Sequence, residues 1–165
     1  MNIFVINVIV SFFAALVLHE LGHCVAARMC GVPIKQAGFG WGPRLFGVRL
    51  SKIDCQVRLL PLGAYVQMDM VALQRRPLFQ QLFVLGAGIG VNLLLCALTW
   101  GSFFAAFNLA LAIGNLIPVY QLDGWKSGMV ICRRMFGRSP VVEWTLTLGG
   151  GAIALAVFVR AFLNV

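Results

Sequence analysis

Acidic residues are almost missing from this chain. Asp and Glu together number five in 165 residues, and charged residues of both signs make up only 11%. A soluble domain carries about 25% charged residues. With 61% hydrophobic residues beside that deficit, an ordinary cytosolic globule, a disordered chain and a coiled coil are excluded. Cysteine is sparse and odd in number: Cys24, Cys30, Cys55, Cys96 and Cys132, with no close CxxC pair. That excludes a disulfide framework and a cysteine-rich zinc module. Histidine is scarcer still, with His19 and His23 the only two. The net charge of +8 raises the question of nucleic acid. The basic residues are scattered around apolar segments and form no recognisable binding module, so no nucleic-acid partner is expected.

What the chain has in quantity is apolar runs of membrane-crossing length. The first covers residues 3–29. A cleavable leader would show a basic region ahead of a shorter apolar core. Here no basic residue precedes the run, and it continues through His19-Glu20-Leu21-Gly22-His23 to Arg28. Residues 30–70 differ in composition. Recurrent Gly and Pro separate strand-like pieces at Leu45–Leu50, Asp54–Leu60 and Ala64–Met68, which predicts a β-rich, membrane-associated insertion. Further spans are expected at 78–100 and 103–119, joined as a hairpin through Gly101-Ser102, and at 141–159. A polar, basic stretch, 120–140, separates the last two. The expected fold is one domain: a polytopic α-helical membrane protein with about four transmembrane helices and a β-rich insertion between the first two.

Lysine and arginine set the expected orientation. Eight lie between residues 28 and 76, four between 126 and 138, and Arg160 stands alone beyond the last span. The positive-inside rule then puts the insertion and the 120–140 stretch in the cytoplasm and both termini outside. Small residues, Gly86 with Gly90 and Gly149-Gly150-Gly151, mark helix faces suited to close packing or to a membrane partner.

Ionisable groups within spans are costly and usually functional. Both histidines and one of the five acids fall in the five residues His-Glu-Leu-Gly-His at 19–23. Helix residues four apart share a face, so two imidazoles can chelate one metal ion. Glu20 is turned by about 100° from His19. It can therefore act on a water at the metal without ligating. A catalytic zinc needs a third protein ligand and an open position. The remaining acids are Asp54, Asp69, Asp123 and Glu143. Asp123 is selected because it lies at the cytoplasmic end of the third span, at the depth of His19 and His23.

These segments resemble the site-2 proteases, the intramembrane zinc metalloproteases. HELGH at 19–23 resembles their first motif, and Asn115-Leu116-Ile117-Pro118-Val119-Tyr120-Gln121-Leu122-Asp123-Gly124 their NxxPxxxLDG motif. Leu60–Met68 resembles their PLGGYV strand, with Ala64 in place of the second glycine. Ala87–Asn92 resembles their AGPxxN segment, with Ile89 in place of proline. Trp125 follows LDG where many members have a small residue. The resemblance implies an enzyme of a bacterial inner membrane that hydrolyses peptide bonds in transmembrane segments, with its site toward the cytoplasm. It implies a Zn2+ cofactor on His19, His23 and Asp123, with Glu20 as general base. Asn92 and Asn115 would position substrate, a membrane protein with a single span, and the strand Gly63, Ala64, Tyr65 and Val66 would pair with it. Members often carry a PDZ or CBS domain. No stretch of this sequence is long enough for either, so substrate filtering is expected to be absent or supplied by another protein. The alternative expectation is a non-proteolytic, protease-like scaffold in a membrane complex.

The orientation has a direct test. Reporter fusions at Ser102 should read outside and at Ser139 inside. The reverse pattern would place the histidine motif on the other side of the membrane.

Overall fold

A computed structural model describes residues 2–50 and 53–163; Lys52, counted above among the basic residues, lies outside this range. The elements are α1 (Ile3–Met29), β1 (Ile34–Leu50), β2 (Ile53–Met68), α2 (Met70–Gln74), α3 (Leu78–Leu98), α4 (Phe103–Leu116), α5 (Asp123–Phe136) and α6 (Pro140–Leu163). Helix α1 begins at Asn2, whose side chain accepts from the Phe4 amide, and ends at Cys30 just before Gly31. Its residues are apolar nearly all round, so polarity does not reveal its inner face. Size does. Ser11, Ala15, His19, Gly22, His23, Ala26 and Ala27 are buried, at helical spacing, while Ile9, Val17, Leu21 and Val25 face outward. An apolar exterior is what a lipid-facing helix presents.

Helix α3 is the centre of the bundle and packs against α1, α4 and α5. Its buried stripe is Val84, Leu85, Gly88, Ile89, Asn92 and Cys96. Helix α1 can approach closely because Gly22 has no side chain: a Cβ there would stand 2.9 Å from the Ala87 carbonyl oxygen and 2.9 Å from Val91. The expected small-residue pair behaves otherwise. A Cβ at Gly86 or Gly90 would meet nothing within 4 Å, so those glycines are not the close-packing contact inside the bundle. They line an outward groove between α1 and α3. In α6, Gly149 and Gly151 likewise face open space, whereas Gly150 makes room for the Trp125 ring. The Trp125 indole N–H donates to the Leu146 carbonyl at 3.0 Å. That contact explains how a large residue fits after LDG.

The insertion is more continuous than its sequence suggests. In place of three short pieces there are two long strands of 17 and 16 residues, paired antiparallel. Both bend. Gly40 and Gly42 hold φ of 95° and 89°, a region closed to most side chains. The bend lets residues 36–39 of β1 pair with both 54–57 and 64–67 of β2. Residues 64–68 are therefore partnered on one side only. Phe13 of α1 meets Phe39 edge to face at 5.4 Å, fastening the sheet to the helix. A cluster of Ala26, Ala27, Val32, Ile34, Leu73, Val84, Leu85 and Val130 seals the junction of α1, β1, α2, α3 and α5.

One expected span is shorter than its apolar run, and the fourth, 141–159, falls within α6. Helices α1 and α3 are long and apolar enough to cross a membrane, and α4, at 14 residues, is shorter. Helix α4 stops at Leu116 and not near Val119, because Ile117 precedes Pro118 and is held extended with ψ 136°. The 120–140 stretch is not simply a loop: residues 123–136 form α5, apolar on the side of Met129 and Val130 and basic at its end.

If close approach at Gly22 holds the bundle, Gly22→Ala should cost about 1–3 kcal/mol by overpacking. Gly86→Ala, facing open space, should be nearly neutral. Thermal midpoints of the two variants in detergent measure the difference, and equal midpoints would refute the packing argument.

Candidate metal centre

His19 and His23 sit one turn apart on the buried stripe of α1. The His23 Nδ1–H donates to the Val84 carbonyl of α3 at 2.7 Å. That bond fixes the tautomer and leaves the Nε2 lone pair bare, the usual arrangement of a ligating histidine. His19 Nδ1 is buried without a partner. The two Nε2 atoms stand 3.3 Å apart.

Asp123 opens α5, where the helix N-terminus favours a carboxylate. The preceding segment aims it. Tyr120 N–H donates to the Gly150 carbonyl at 3.2 Å, and Gln121 holds an uncommon φ of 75°. Gly124 lies so close to the C-terminal end of α4 that a Cβ would stand 2.4 Å from the Leu116 carbonyl oxygen and 2.8 Å from that of Asn115. One Asp123 oxygen, Oδ2, lies 3.1 Å from His19 Nε2 and 2.9 Å from His23 Nε2. The other, Oδ1, accepts from Lys126 Nζ at 3.1 Å. Burial works to raise the Asp123 carboxyl. The imidazoles and Lys126 outweigh it and hold the group well below the usual carboxylate range.

The donor set fits zinc. Ligand atoms about 2.0–2.1 Å from a tetrahedral zinc stand about 3.3 Å from one another. The three observed separations, 2.9, 3.1 and 3.3 Å, are close to that spacing. All three residues are buried, and two imidazoles with one carboxylate leave a fourth position open, as catalytic sites do. Helix α3 supplies the floor. A Cβ at Gly88 would stand 2.5 Å from His23 Nε2 and 2.7 Å from His19 Nε2. Sequence reasoning took Gly88 as part of a motif and gave it no part in the site; nor did it single out Val84 or Lys126. The signal for Lys126 was its place three residues after Asp123, one helical turn on.

The remaining predicted residues do not gather in one place. Glu20 does not join the metal cluster's ligand atoms. It lines a cleft of about 380 Å³ between α1 and the sheet, with Ala64, Tyr65 and Val66 among the opposite wall. Gly63 does not line it, and sits at a bend with φ 88°. Tyr65 is held by a polar chain: its hydroxyl donates to Gln56 Oε1 at 3.3 Å and accepts from Arg58 Nε at 3.2 Å. Gly38 leaves room for its ring. Asn92 lies two turns along α3 from Val84, on the same stripe, fully buried, and neither amide atom has a hydrogen-bond partner. Asn115 instead donates to the Leu111 carbonyl of its own helix at 3.0 Å. Asn108, absent from the predicted set, is also fully buried with its carbonyl oxygen unpartnered.

Comparison with known proteins points the same way. Residues 7–105 match peptidase family M50. The matched range contains the histidine motif and Asn92 and ends before Asp123, whose place in the cluster rests on the geometry. A protein of Clostridium perfringens strain 13 named as a zinc metalloprotease is 30% identical over 125 residues, covering 68% of this chain and 37% of that protein. One of Neisseria meningitidis serogroup A, similarly named, is 29% identical over 94% of this chain and 38% of its own length. Zinc metalloprotease RasP of Geobacillus kaustophilus is 38% identical over 39% of this chain and 15% of its own. The chain thus spans well under half the length of these curated relatives.

Two substitutions test the cluster as a metal site. Asp123→Ala removes a ligand, and Gly88→Ala pushes a methyl group against both imidazoles. Gly88→Ala should weaken zinc binding by about 10–100-fold, Asp123→Ala should weaken it more, and Gly86→Ala should not change it. Metal analysis of the purified chains reads this, and full zinc in Asp123→Ala would move the third ligand elsewhere.

Proposed function

The chain belongs to peptidase family M50, and from that membership we propose that it is a zinc-dependent endopeptidase that cuts transmembrane segments of membrane proteins. The observation that carries the reading is the meeting of two sites on one helix. On one side of α1, His19 and His23 join Asp123 in a buried donor cluster. Next to it in sequence, Glu20 turns into an apolar cleft whose far wall includes Ala64, Tyr65 and Val66 of the sheet.

Bound zinc would supply Lewis acidity, making a water more acidic and polarising a carbonyl. The protein's residues would do the rest. Glu20, standing at the cleft beside the ligands, would accept the proton of the attacking water and then deliver it to the leaving amine. The Val84 carbonyl and Lys126 would hold His23 and Asp123 in ligating positions. Asn92, with both amide atoms unpartnered, would be a polar group for the substrate backbone.

A transmembrane helix already satisfies its backbone internally, so its carbonyls are shielded until it unwinds. The strand Ala64–Met68 has a free edge beside the cleft, and an unwound segment could add to it as another strand. Apolar lining from Val17, Leu21, Phe39 and Val57 suits the side chains such a segment would bring. In this reading four helices, α1, α3, α4 and α6, lie in a bacterial inner membrane, and the cluster opens to the cytoplasm.

Glu20→Gln separates this function from a scaffold. The amide cannot accept a proton, so cleavage of a single-span reporter should fall by at least about 10²–10⁴-fold, with zinc content unchanged. Undiminished cleavage would remove Glu20 as the base. A cell phenotype unaffected by losing cleavage would support the scaffold.

A further inference from the structure

Arginine collects at one place away from the metal cluster. Arg75 and Arg76 lie between α2 and α3, Arg133 and Arg134 lie in the last turn of α5, and Arg138 lies between α5 and α6. Three separate segments thus bring five guanidinium groups around one recess of about 490 Å³. No carboxylate lines it among the described residues. Glu143, the acid in the adjoining recess, is engaged by Arg133 at 2.8 Å.

The arginines find little compensation in the protein. Arg76 donates to the Gly31 carbonyl at 2.7 Å and Arg138 to Gln74 Oε1 at 3.2 Å, both uncharged acceptors. Among the described residues, Arg75 and Arg134 make no side-chain hydrogen bond or ion pair, and both are exposed. Helix α3 adds to the positive field. It starts at this recess, with Pro77, Leu78 and Gln81 in the lining, and no side chain caps its N-terminus. Unpaired N–H groups and the helix dipole there favour an anion. Favourable charge at the C-terminus of α5 would account for Arg133 and Arg134. It does not account for Arg75, Arg76 and Arg138, which come from elsewhere in the chain.

We propose that this recess binds a phosphate-bearing anion. Guanidinium groups match phosphate oxygens in pairs, and several around one cavity with no competing acid make a phosphate site. The place also suits a lipid headgroup. Two apolar helices, α3 and α6, begin at the recess or next to it, so a bound phosphate would sit where acyl chains can run along their sides. Free phosphate offers the same chemistry without the chains.

The test uses the full chain, zinc-loaded in neutral detergent. It is titrated separately with short-chain phosphatidylglycerol, short-chain phosphatidylcholine and inorganic phosphate, with Trp fluorescence and thermal midpoint as readouts. Trp144 lines the adjoining recess and reports locally. Arg75→Gln/Arg134→Gln should weaken phosphatidylglycerol binding by roughly 30-fold, at about 1 kcal/mol per arginine. Arg28→Gln/Arg49→Gln, which removes equal charge elsewhere, should keep wild-type affinity. Zinc content checks that each variant is folded. Should the double variant lose zinc, Arg75→Gln alone takes its place, with a proportionately smaller loss. Saturation by phosphatidylglycerol and not by the free ion assigns the site to a lipid; equal saturation by both assigns it to free phosphate. Equal losses in the control pair, or no binding of either anion that depends on Arg75 and Arg134, would overturn the proposal.

Discussion

The architecture depends on how near α1 and α3 can come to each other. Two glycines set that distance, Gly22 on one helix and Gly88 on the other, and each faces atoms that a methyl group would strike. At this separation His23 reaches a main-chain carbonyl of α3, and both imidazoles lie against a helix backbone. A wider spacing would leave the histidines with room to rotate and no fixed tautomer. Helix packing and ligand geometry are therefore one constraint, met by leaving side chains out.

Around that contact the protein separates its polar chemistry into compartments. In the donor cluster an ammonium holds one carboxylate oxygen, while the other converges with two imidazole nitrogens on the position a metal would fill. Desolvating such groups is costly unless a counter-charge offsets it. A second polar group lies on the sheet, where Arg44, Asp54, Gln56, Arg58 and Tyr65 form a continuous chain of contacts. Between the two is a cleft lined almost wholly by apolar side chains, with Glu20 as its acidic residue. The arginine-rich recess forms a third compartment, beside the first turns of α3 and α6.

Much of this could be read from residue identity and spacing. Four-residue separation of the only histidines implied one helical face, and scarcity of acids left four candidates for a third ligand, of which depth favoured Asp123. Apolar runs marked α1 and α3 to within two residues. Other features depend on tertiary contact. Which face of α1 turns inward is invisible to polarity, because leucine and valine surround the helix; the small residues mark it instead. Gly86 and Gly90 have the right spacing for a packing face, yet Gly22 and Gly88 fill that role. Helix α5 did carry signals: Asp123 in the first turn, Arg133 and Arg134 in the last, and Gly137 as a positive-φ C-cap. Its basic composition masked them. In the insertion, glycines and prolines suggested breaks where the strands bend and continue.

The spacing of the ligands along the chain has a consequence for biosynthesis. His23 and Asp123 are separated by 100 residues, so ribosomes must extend the chain through the sheet, α3 and α4 before the third donor exists. During that interval two imidazoles occupy an apolar helix without their carboxylate partner. Once α5 emerges and docks, a metal held across so long a loop would convert its affinity into fold stability. The donor made last is thus the one on which closure of the loop between α1 and α5 depends.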